Sequence, residues 1–317
     1  MEFALSEEQQ ELAATVRALL ARRADPRVER YDAELWSTLC EQIGVAALAV
    51  PEEYDGFGAS LFETTVVLEE LGRSLAPTPL LSSLVTTEAL LAGADDDARQ
   101  RLLPRIAAGA VAAFLDGDGP VLDGDLAEIL VVATDDGLYE LSGAERAWVP
   151  SMDQTIRIAE VTGGTTTRIG DGPAARDRAR LVGAVGCAAL ATGLSARALE
   201  MTVAYSRERV QFGRPIGSFQ ALKHRMADML VLAEMSRSAS WAASYAVATG
   251  ADDAEHLAHV ATSYCCEAAS AIAGETVQLH GGIAITWEHD AHLVFKRAHA
   301  LGRLYGAPHE HRARVKL

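Results

Sequence analysis

The sequence has few cysteines, and none lies at the spacing of a metal site. The cysteines are Cys40, Cys187, Cys265 and Cys266, and each stands in an apolar, helical context. Zinc sites need Cys or His ligands at short regular intervals, and a disulfide framework needs many cysteines in a short chain. We therefore expect buried, reduced thiols, with neither a structural zinc ion nor a disulfide.

Basic residues are also scarce. Lys and Arg number 28 against 44 Asp and Glu, which gives a net charge of -16, and the carboxylates are spread along the whole chain. Such a surface repels phosphate backbones and anionic membranes. Nucleic acids and membranes are therefore not expected as partners.

The sequence also lacks a long run of apolar residues. Stretches such as residues 45–50 fall far short of the ~20 residues that span a bilayer. The N-terminal segment carries acidic residues where a signal peptide is basic, and its apolar residues recur at helical spacing. The sequence therefore predicts a cytoplasmic protein, and its 317 residues, 49% of them hydrophobic, allow a sizeable core.

The pattern of apolar residues divides the chain into three regions and predicts a mainly α-helical protein with a small β domain. Residues 1–112 form an N-terminal helical domain by their helical periodicity. Residues 113–172 contain short β-prone runs separated by glycine turns, which favours a reduced, antiparallel β domain of only a few strands. Residues 173–317 predict a C-terminal four-helix bundle. The predicted helices cover residues 7–20, 33–43, 61–71, 80–91, 180–207, 220–249 and 254–279.

The segment 205–220 connects two long helices and is rich in groups that bind anions. It has the sequence YSRERVQFGRPIGSFQ, in which Gly213 and Pro215 end one helix before the next begins after Ser218. Arginines can fork onto phosphate oxygens, and the two phenylalanines can brace the face of a ring system. The alternative is a helix hairpin whose arginines pair with surface carboxylates, and charge pattern alone favours that alternative.

A second segment, residues 278–290, places two glycines at the end of a long helix. It has the sequence QLHGGIAITWEHD, in which Gly281 and Gly282 allow a ligand to approach closely and Gln278 offers an amide that donates and accepts. In isolation, a helix cap is the favoured explanation of the glycines. The other polar side chains match no standard metal-ligand spacing, and a solvated loop accounts for them: His280, His289 and Asp290.

Together and in this order, the two segments resemble the signatures of the acyl-CoA dehydrogenase family. The signature RxxFGxPIxxFQ stands intact as Arg209, Phe212, Gly213, Pro215, Ile216, Phe219 and Gln220. The element QxxGG stands intact as Gln278, Gly281 and Gly282. The helical–β–helical order and the segments PEEYDGFGAS and EELGRS also resemble this family.

The resemblance implies FAD as the cofactor and assigns residues to it. In family members these motifs reach across a dimer interface to the adenosine and pyrophosphate of the neighbour's FAD. The residues that inherit this role are Arg209, Phe212, Gln220, Gln278, Gly281 and Gly282.

The catalytic base of the family has no counterpart in this sequence. Family members remove the α-proton of an acyl-CoA with a Glu and transfer a hydride from the β-carbon to the flavin, which gives an enoyl-CoA. That Glu lies either between the residues that stand here as Tyr305 and Gly306, or near Gly183 and Ala184. Neither position carries a carboxylate, so the resemblance implies no catalytic residue in this chain.

The β region departs from the family as well. The family's TEPxxGSD and NGxKxxIT segments, which wrap the flavin ring, are not recognisable, and the nearest remnants are LDGDG at 115–119 and LSGAERAWV at 141–149. This asymmetry resembles the actinobacterial heterotetrameric acyl-CoA dehydrogenases of steroid side-chain degradation. The resemblance implies an α2β2 assembly in which a catalytic partner carries the base and binds most of the acyl-CoA. Two alternatives stay open: a self-sufficient dehydrogenase that uses Glu310 or Asp177 as its base, and a subunit without a redox role.

Overall fold

The computed structural model describes residues 4–28, 31–117 and 119–315, and its N-terminal block is helical. Two serines start helices through capping boxes: Ser6 with Gln9, and Ser60 with Glu63. Each box satisfies backbone N–H groups that the first turn leaves free. The helices of this block span Glu7–Arg23 (α1), Ala33–Gln42 (α2), Leu61–Ser74 (α3), Leu80–Gly93 (α4) and Asp96–Ala107 (α5).

Helix α5 lies in a stretch for which the sequence predicted no helix. Its acidic start and Pro104 obscure the periodicity, since a proline removes one intrahelical hydrogen bond. Asp95 nevertheless caps the helix, because its Oδ1 accepts a hydrogen bond of 2.9 Å from Ala98 N. Leu102, Leu103 and Ile106 are buried. Burial of this apolar face stabilises a helix that local propensity leaves ambiguous.

The β unit, residues 112–170, contains two small sheets. Its strands are Ala112–Asp116 (β1), Val121–Leu122 (β2), Ile129–Ala133 (β3), Leu138–Ser142 (β4), Glu145–Val149 (β5), Ile158–Thr162 (β6) and Thr165–Gly170 (β7). One sheet has the order β1-β3-β4-β7 and the other β2-β6-β5. Strands β1 and β3 are parallel, so the prediction of a wholly antiparallel unit of a few strands is wrong. The chain passes through the second sheet at β2 before it returns, which makes the parallel pairing possible.

Helices α6 to α9 form the C-terminal bundle. They span Gly172–Glu208 (α6), Gln220–Thr249 (α7), Ala254–His280 (α8) and Ala291–Leu301 (α9), and a short helix, Pro308–Arg314 (α10), follows. Helices α6 and α8 run parallel, because contacts advance together along both: Thr262 Oγ1 donates to Ala184 O at 3.0 Å, and Thr202 Oγ1 donates to Thr276 Oγ1 at 3.1 Å. The C-terminal ends of α6 and α8 therefore lie at the same end of the bundle.

Helix α6 is the core helix of the whole molecule. One 18-residue window has a mean hydropathy of 1.4, so length and composition alone would allow it to cross a membrane. However, 89% of that window is buried inside the fold. The apolar sequence of α6 is explained by its neighbours, since α3, α4, α7 and α8 all pack on it.

Helices α3 and α6 cross at glycines. A Cβ at Gly193 of α6 would lie 1.8 Å from the Glu69 carbonyl oxygen of α3, and a Cβ at Gly72 would lie 2.1 Å from the Leu190 carbonyl oxygen. Both neighbours are backbone atoms, which cannot rotate away as a side chain can. The N-terminal block and the bundle are therefore held together through direct backbone approach.

Replacement of Gly193 by alanine should lower the free energy of unfolding by about 1–3 kcal/mol, because the added methyl group forces the two backbones apart. The matched control is Gly274→Ala in α8, where a Cβ would meet nothing within 4 Å. That variant should gain about 0.5–1 kcal/mol, because alanine loses less backbone entropy in a helix. Urea titrations followed by far-ultraviolet circular dichroism measure both. Equal stability of the two variants would contradict the close crossing.

The cysteines are free thiols in the structure. Cys187, Cys265 and Cys266 are buried, as the sequence predicted, whereas Cys40 is only half-buried. Burial raises the pKa of the Cys187 thiol to about 12 and that of Cys265 to about 12. Thiols held protonated in this way are unreactive.

Candidate functional site

The arginine-rich segment forms a small hairpin between α6 and α7. Strands Val210–Gln211 (β8) and Arg214–Pro215 (β9) pair, and the turn between them consists of Phe212 and Gly213 with φ values of 54° and 77°. Helix α6 ends at Glu208, one residue beyond the predicted range 180–207, so Gly213 and Pro215 are not the residues that end it. A 3-10 turn, Ile216–Ser218, then leads into α7.

The side chains of this hairpin point into solvent. Phe212 is 92% exposed, and its ring lies edge-on to Phe219 at a centroid distance of 6.1 Å. The Arg214 guanidinium lies 4.1 Å from the centroid of Phe219. Gln220 and Arg209 are exposed. The sequence left open that the arginines of this segment pair with surface carboxylates. Among the described residues, no ion pair involves Arg207, Arg209 or Arg214, so that alternative is not observed.

The glycine segment follows α8 and leaves its backbone open. Gly281 has φ 66° and ψ -144°, a conformation that only glycine adopts without strain, and it differs from the left-handed cap that commonly ends a helix. A Cβ at Gly281 or at Gly282 would meet nothing within 4 Å. Gln278 is exposed on the last turn of α8. A ligand could therefore approach the backbone of this turn closely.

The fold brings the two segments together. Tyr205, in the last turn of α6, stacks on His280, in the last turn of α8, at a centroid distance of 4.4 Å. Arg225 near the start of α7 forms an ion pair of 2.6 Å with Glu275 of α8. The predicted site residues thus share one end of the bundle, which we call the motif end: Arg209, Phe212, Gln220, Gln278, Gly281 and Gly282.

Histidines support the motif end from inside. His280 is 3% exposed, and its Nδ1 lies 2.7 Å from the carbonyl oxygen of Thr276, so this nitrogen carries the proton. His289 packs against the His280 ring at 4.4 Å. Burial lowers the pKa of both imidazoles. The solvated-loop prediction is therefore wrong for His280, whose role is to pack α8 against α6.

The two positions where the family places its base meet at the other end of α6. A Cβ at Gly183 would lie 2.3 Å from Cδ1 of Tyr305. The Tyr305 ring thus occupies the space that a side chain at residue 183 would need. Burial raises the pKa of the Tyr305 phenol above its ordinary value, so it stays protonated. No carboxylate stands at either position.

Both residues named above as alternative bases, Glu310 and Asp177, have exposed side chains. Glu310 Oε2 accepts a hydrogen bond of 2.7 Å from Ala307 N at the start of α10. This bond holds the pKa of the Glu310 carboxyl below its usual range, and the side chain is exposed. Asp177 is exposed near the start of α6. A general base of this type needs a raised pKa and a water-poor site, which Glu310 lacks.

Apart from the buried Leu115, the described residues of the two flavin-segment remnants lie at or near the surface of the β unit. Residues 115–117 end β1 and begin the following loop, and Asp118 falls outside the described residues. Residues 141–149 run from the end of β4 through Gly143 into β5. Strand β5 is an edge strand and mostly exposed, with Trp148 43% exposed.

Asp123 is a perturbed carboxyl that sequence reasoning missed. It is 5% exposed, lines a cavity of about 40 Å³ and accepts a hydrogen bond of 2.7 Å from Ser82 Oγ. Burial raises its pKa to about 7. In the sequence, Asp123 stands in a run of acidic and glycine residues, which gave no signal that it is buried. Its burial depends on the contact with Ser82, which joins α4 to the β unit across 41 residues.

The raised pKa of Asp123 predicts how stability depends on pH. Folding favours the protonated carboxyl, so its contribution is fully present below the unfolded pKa and is lost as pH rises through about 7. The slope from this group is at most about 1.4 kcal/mol per pH unit. Asp123→Asn should match the wild type below the unfolded pKa of about 4, exceed it by a margin that grows up to about pH 7, and keep that margin at higher pH. Urea titrations of both proteins across this range measure the difference, and a difference that is constant with pH would contradict the assignment.

Comparison with known proteins decides the family. The model of the acyl-CoA dehydrogenase C-terminal domain matches residues 170–315, and that of the N-terminal domain matches residues 6–110. Acyl-CoA dehydrogenase IpdE2 of Mycolicibacterium smegmatis is 43% identical over 98% of this chain and 99% of its own length. The chain belongs to the acyl-CoA dehydrogenase family. The resemblance of its two motifs to the family signatures is thereby confirmed.

Two solved structures are similar to this chain over nearly its whole length. The ChsE4-ChsE5 complex from Mycobacterium tuberculosis has a TM-score of 0.87 at 25% identity and covers 99% of this chain and 98% of its own. The Tcur3481-Tcur3483 steroid ACAD G363A variant has a TM-score of 0.86 at 28% identity and covers 98% and 96%. The mainly α-helical fold with a small β domain is confirmed.

Membership of the acyl-CoA dehydrogenase family gives FAD as the cofactor. The motif end fits one part of this molecule: an exposed arginine without an ion pair among the described residues suits a pyrophosphate, and the open Gly281–Gly282 backbone admits close approach. The other end fits the reaction poorly, because it lacks a carboxylate where the family has its base.

Proposed function

We propose that this chain is a non-catalytic subunit of a heteromeric acyl-CoA dehydrogenase and completes the FAD site of a catalytic partner subunit. The observation that carries the proposal is the separation of its two ends. At the motif end the ligand-binding groups are exposed and open. At the opposite end the Tyr305 ring lies against Gly183, and neither of the family's base positions carries a carboxylate.

The chemistry of each motif-end residue supports contact with FAD. The Arg209 guanidinium can form two hydrogen bonds to the pyrophosphate, and Phe212 can cover the face of the adenine. The backbone of Gly281 and Gly282 can approach the phosphates, while Gln278 and Gln220 offer amide hydrogen bonds. The bound FAD supplies hydride acceptance to the assembly. This chain binds and orients it, whereas the partner subunit removes the proton and holds most of the acyl-CoA.

Similar proteins support a heteromeric assembly. The structures of ChsE4-ChsE5 and Tcur3481-Tcur3483 are pairs of chains, and the second is described as a steroid acyl-CoA dehydrogenase. By analogy we propose an α2β2 heterotetramer that oxidises the α,β-bond of an acyl-CoA, with a steroid side-chain thioester as the substrate class. This chain also exposes apolar side chains that suit an interface with a partner subunit. The exposed fractions are 92% for Phe212, 48% for Leu230, 61% for Val231 and 54% for Met235.

Expression with and without the partner subunit tests this role. Alone, the chain should be colourless and prone to self-association, because it offers only part of an FAD site and leaves apolar surface uncovered. Co-expressed with the partner, it should form a yellow complex with two FAD per tetramer, measured by flavin absorbance after gel filtration.

The same measurement separates the alternatives. A yellow homo-oligomer with one FAD per chain and dehydrogenase activity would establish a self-sufficient enzyme with an atypical base. A complex whose FAD content does not depend on this chain would leave it a structural subunit without a redox role. Either result would overturn the proposed function.

A further inference from the structure

The proposed FAD contacts come from three helices, and the ends of these helices are not held equally firmly. Arg209 follows α6, Gln220 begins α7, and Gln278 lies in the last turn of α8. The ends of α6 and α8 are fixed to each other, because Tyr205 stacks on His280 at a centroid distance of 4.4 Å. The spacing between α6 and α8 at the motif end is therefore set by packed side chains.

The start of α7 lacks such packing. None of residues 220–228 is fully buried, and Met229, at 1% exposed, is the first residue of α7 that lies in the core. The 3-10 turn before α7 approaches α6 closely, because a Cβ at Gly217 would lie 2.9 Å from the Ser206 carbonyl oxygen. This turn holds α7 to α6. Towards α8, the first two turns of α7 depend on side chains that are partly exposed.

Arg225 and Glu275 form a contact that joins α7 to α8 at the motif end. Arg225 Nη2 lies 2.6 Å from Glu275 Oε2, and the two side chains are 40% and 36% exposed. Within the part of the chain that the structure describes, this is the only ion pair between the two helices. Gln220 lies roughly 7 Å before Arg225 along the axis of α7. Gln278 lies one turn beyond Glu275 on the same face of α8.

The surroundings of Glu275 strengthen this ion pair. Its Oε2 atom is shielded from solvent, although the side chain as a whole is partly exposed. The attraction between the two charges is therefore screened less than that of a pair on the open surface. By the same argument, two like charges at this contact would repel each other strongly and would push the start of α7 away from α8.

We infer that Arg225 and Glu275 are positioning residues, which hold Gln220 and Gln278 at the separation that FAD binding requires. This inference rests on the proposed function, because it concerns the same FAD contacts. Attraction between the opposite charges draws the start of α7 against α8, where packing alone does not hold it. The two residues act through each other, so the match between their charges matters more than the sign of either one.

Exchange of the two charges in the co-expressed complex tests the inference. Arg225→Glu and Glu275→Arg each place two like charges at the contact. Each should therefore weaken FAD retention roughly 3- to 10-fold, which is the effect of losing about one neutral hydrogen bond. The double variant restores an ion pair and should retain FAD within about twofold of the wild type. Flavin-to-protein ratios after gel filtration over a dilution series measure retention.

The signs of the two single effects distinguish positioning from a general effect of charge. FAD carries an anionic pyrophosphate, so a general effect would make Arg225→Glu weaken FAD retention and Glu275→Arg strengthen it. If Arg225 bound the pyrophosphate directly, Arg225→Glu would weaken retention and the double variant would not restore it. Either pattern would overturn the inference. Retention equal to that of the wild type in both single variants would overturn it as well.

A conservative variant and a matched control complete the set. Arg225→Lys should retain FAD within about twofold, because a contact with one carboxylate oxygen needs a cation rather than the fork of a guanidinium. The control is Arg312→Glu, which reverses a charge in the ion pair between Arg312 of α10 and Glu267 of α8. Glu267 lies roughly 12 Å before Glu275 along α8, so this variant should leave FAD retention unchanged.

Urea titrations of the same samples show whether each variant is folded. If a charge reversal prevents folding, Arg225→Met replaces it, because methionine keeps the apolar stem and removes the charge. That variant should weaken FAD retention in the same direction by a smaller factor, and unchanged retention would overturn the inference.

Arg209→Ala in the same experiment separates this inference from the proposed function. If Arg209→Ala lowers FAD retention and neither charge reversal does, only the positioning role is wrong. If no variant at the motif end lowers FAD retention, the proposed function fails together with the inference.

Discussion

Replacement of Arg209 by alanine is expected to weaken FAD retention by the co-expressed complex roughly 10- to 100-fold, because a charge-assisted hydrogen bond to the pyrophosphate is worth about 1.5–3 kcal/mol. The structure makes this a clean experiment. The Arg209 side chain is exposed and forms no ion pair within the described residues, so its removal should change the stability of the chain by less than about 0.5 kcal/mol. Flavin-to-protein ratios after gel filtration report the effect.

Graded variants separate charge from geometry at this position. Arg209→Lys should restore FAD retention only in part, since an ammonium group cannot form the two-point contact of a guanidinium. Gln278→Ala should act in the same direction more weakly, because it removes a neutral hydrogen-bonding group. Arg207→Ala is the matched control, as Arg207 is an exposed arginine in the last turn of α6 outside the two motifs. Full retention of two FAD per tetramer by Arg209→Ala would show that the hairpin only connects two helices.

A larger effect, on stability, is expected from Asp153→Ala. The Asp153 side chain is 0% exposed and its Oδ2 accepts a hydrogen bond of 2.7 Å from Arg297 Nε, while Arg297 is 3% exposed. Arg297 Nη2 also donates to the Thr155 carbonyl oxygen at 2.6 Å. These contacts attach α9 to the loop before β6. Removal of the carboxylate leaves a buried guanidinium without its counter-charge, which costs about 3–5 kcal/mol.

Companion variants show that the cost comes from the unpaired charge. Asp153→Ala combined with Arg297→Met should be less destabilising than the two single changes added together, because the double variant leaves no charge buried alone. The control is Glu267→Ala, which breaks an ion pair with Arg312 in which the side chains are 52% and 57% exposed. That change should cost no more than about 1 kcal/mol. Additive effects at Asp153 and Arg297 in urea titrations would contradict the buried pair.

Helical periodicity predicted the long elements well where burial follows one face of the helix. Helix α7 was expected at residues 220–249 and spans Gln220–Thr249. Helix α8 was expected at residues 254–279 and spans Ala254–His280. In both cases glycine follows the last helical residue, and this local signal marks the end. Helix α6 begins eight residues earlier than the expected residue 180, because Asp171 and Pro173 start it beneath the β unit.

The β unit was the least predictable region. Its strands have two to six residues, and at this length a periodicity of two is hardly distinguishable from chance. The pairing of β1 with β3 depends on contacts between segments more than a dozen residues apart, which no local pattern records. The contact between the buried side chains of Ser82 and Asp123 could not be predicted for the same reason, since the two residues lie 41 positions apart in the sequence.

The sequence by itself determined the helical–β–helical order, the two motifs with their six proposed FAD contacts, and the absence of a carboxylate at both base positions. These follow from residue identity and spacing along the chain. Only the tertiary structure decided that the motifs share one end of the bundle, and that Tyr305 packs against Gly183 at the other. It also decided that Arg225 of α7 pairs with Glu275 of α8 beside the motifs. The physical reason is that burial, tautomer and unsatisfied hydrogen bonds depend on neighbours distant in sequence, and packing alone brings them together.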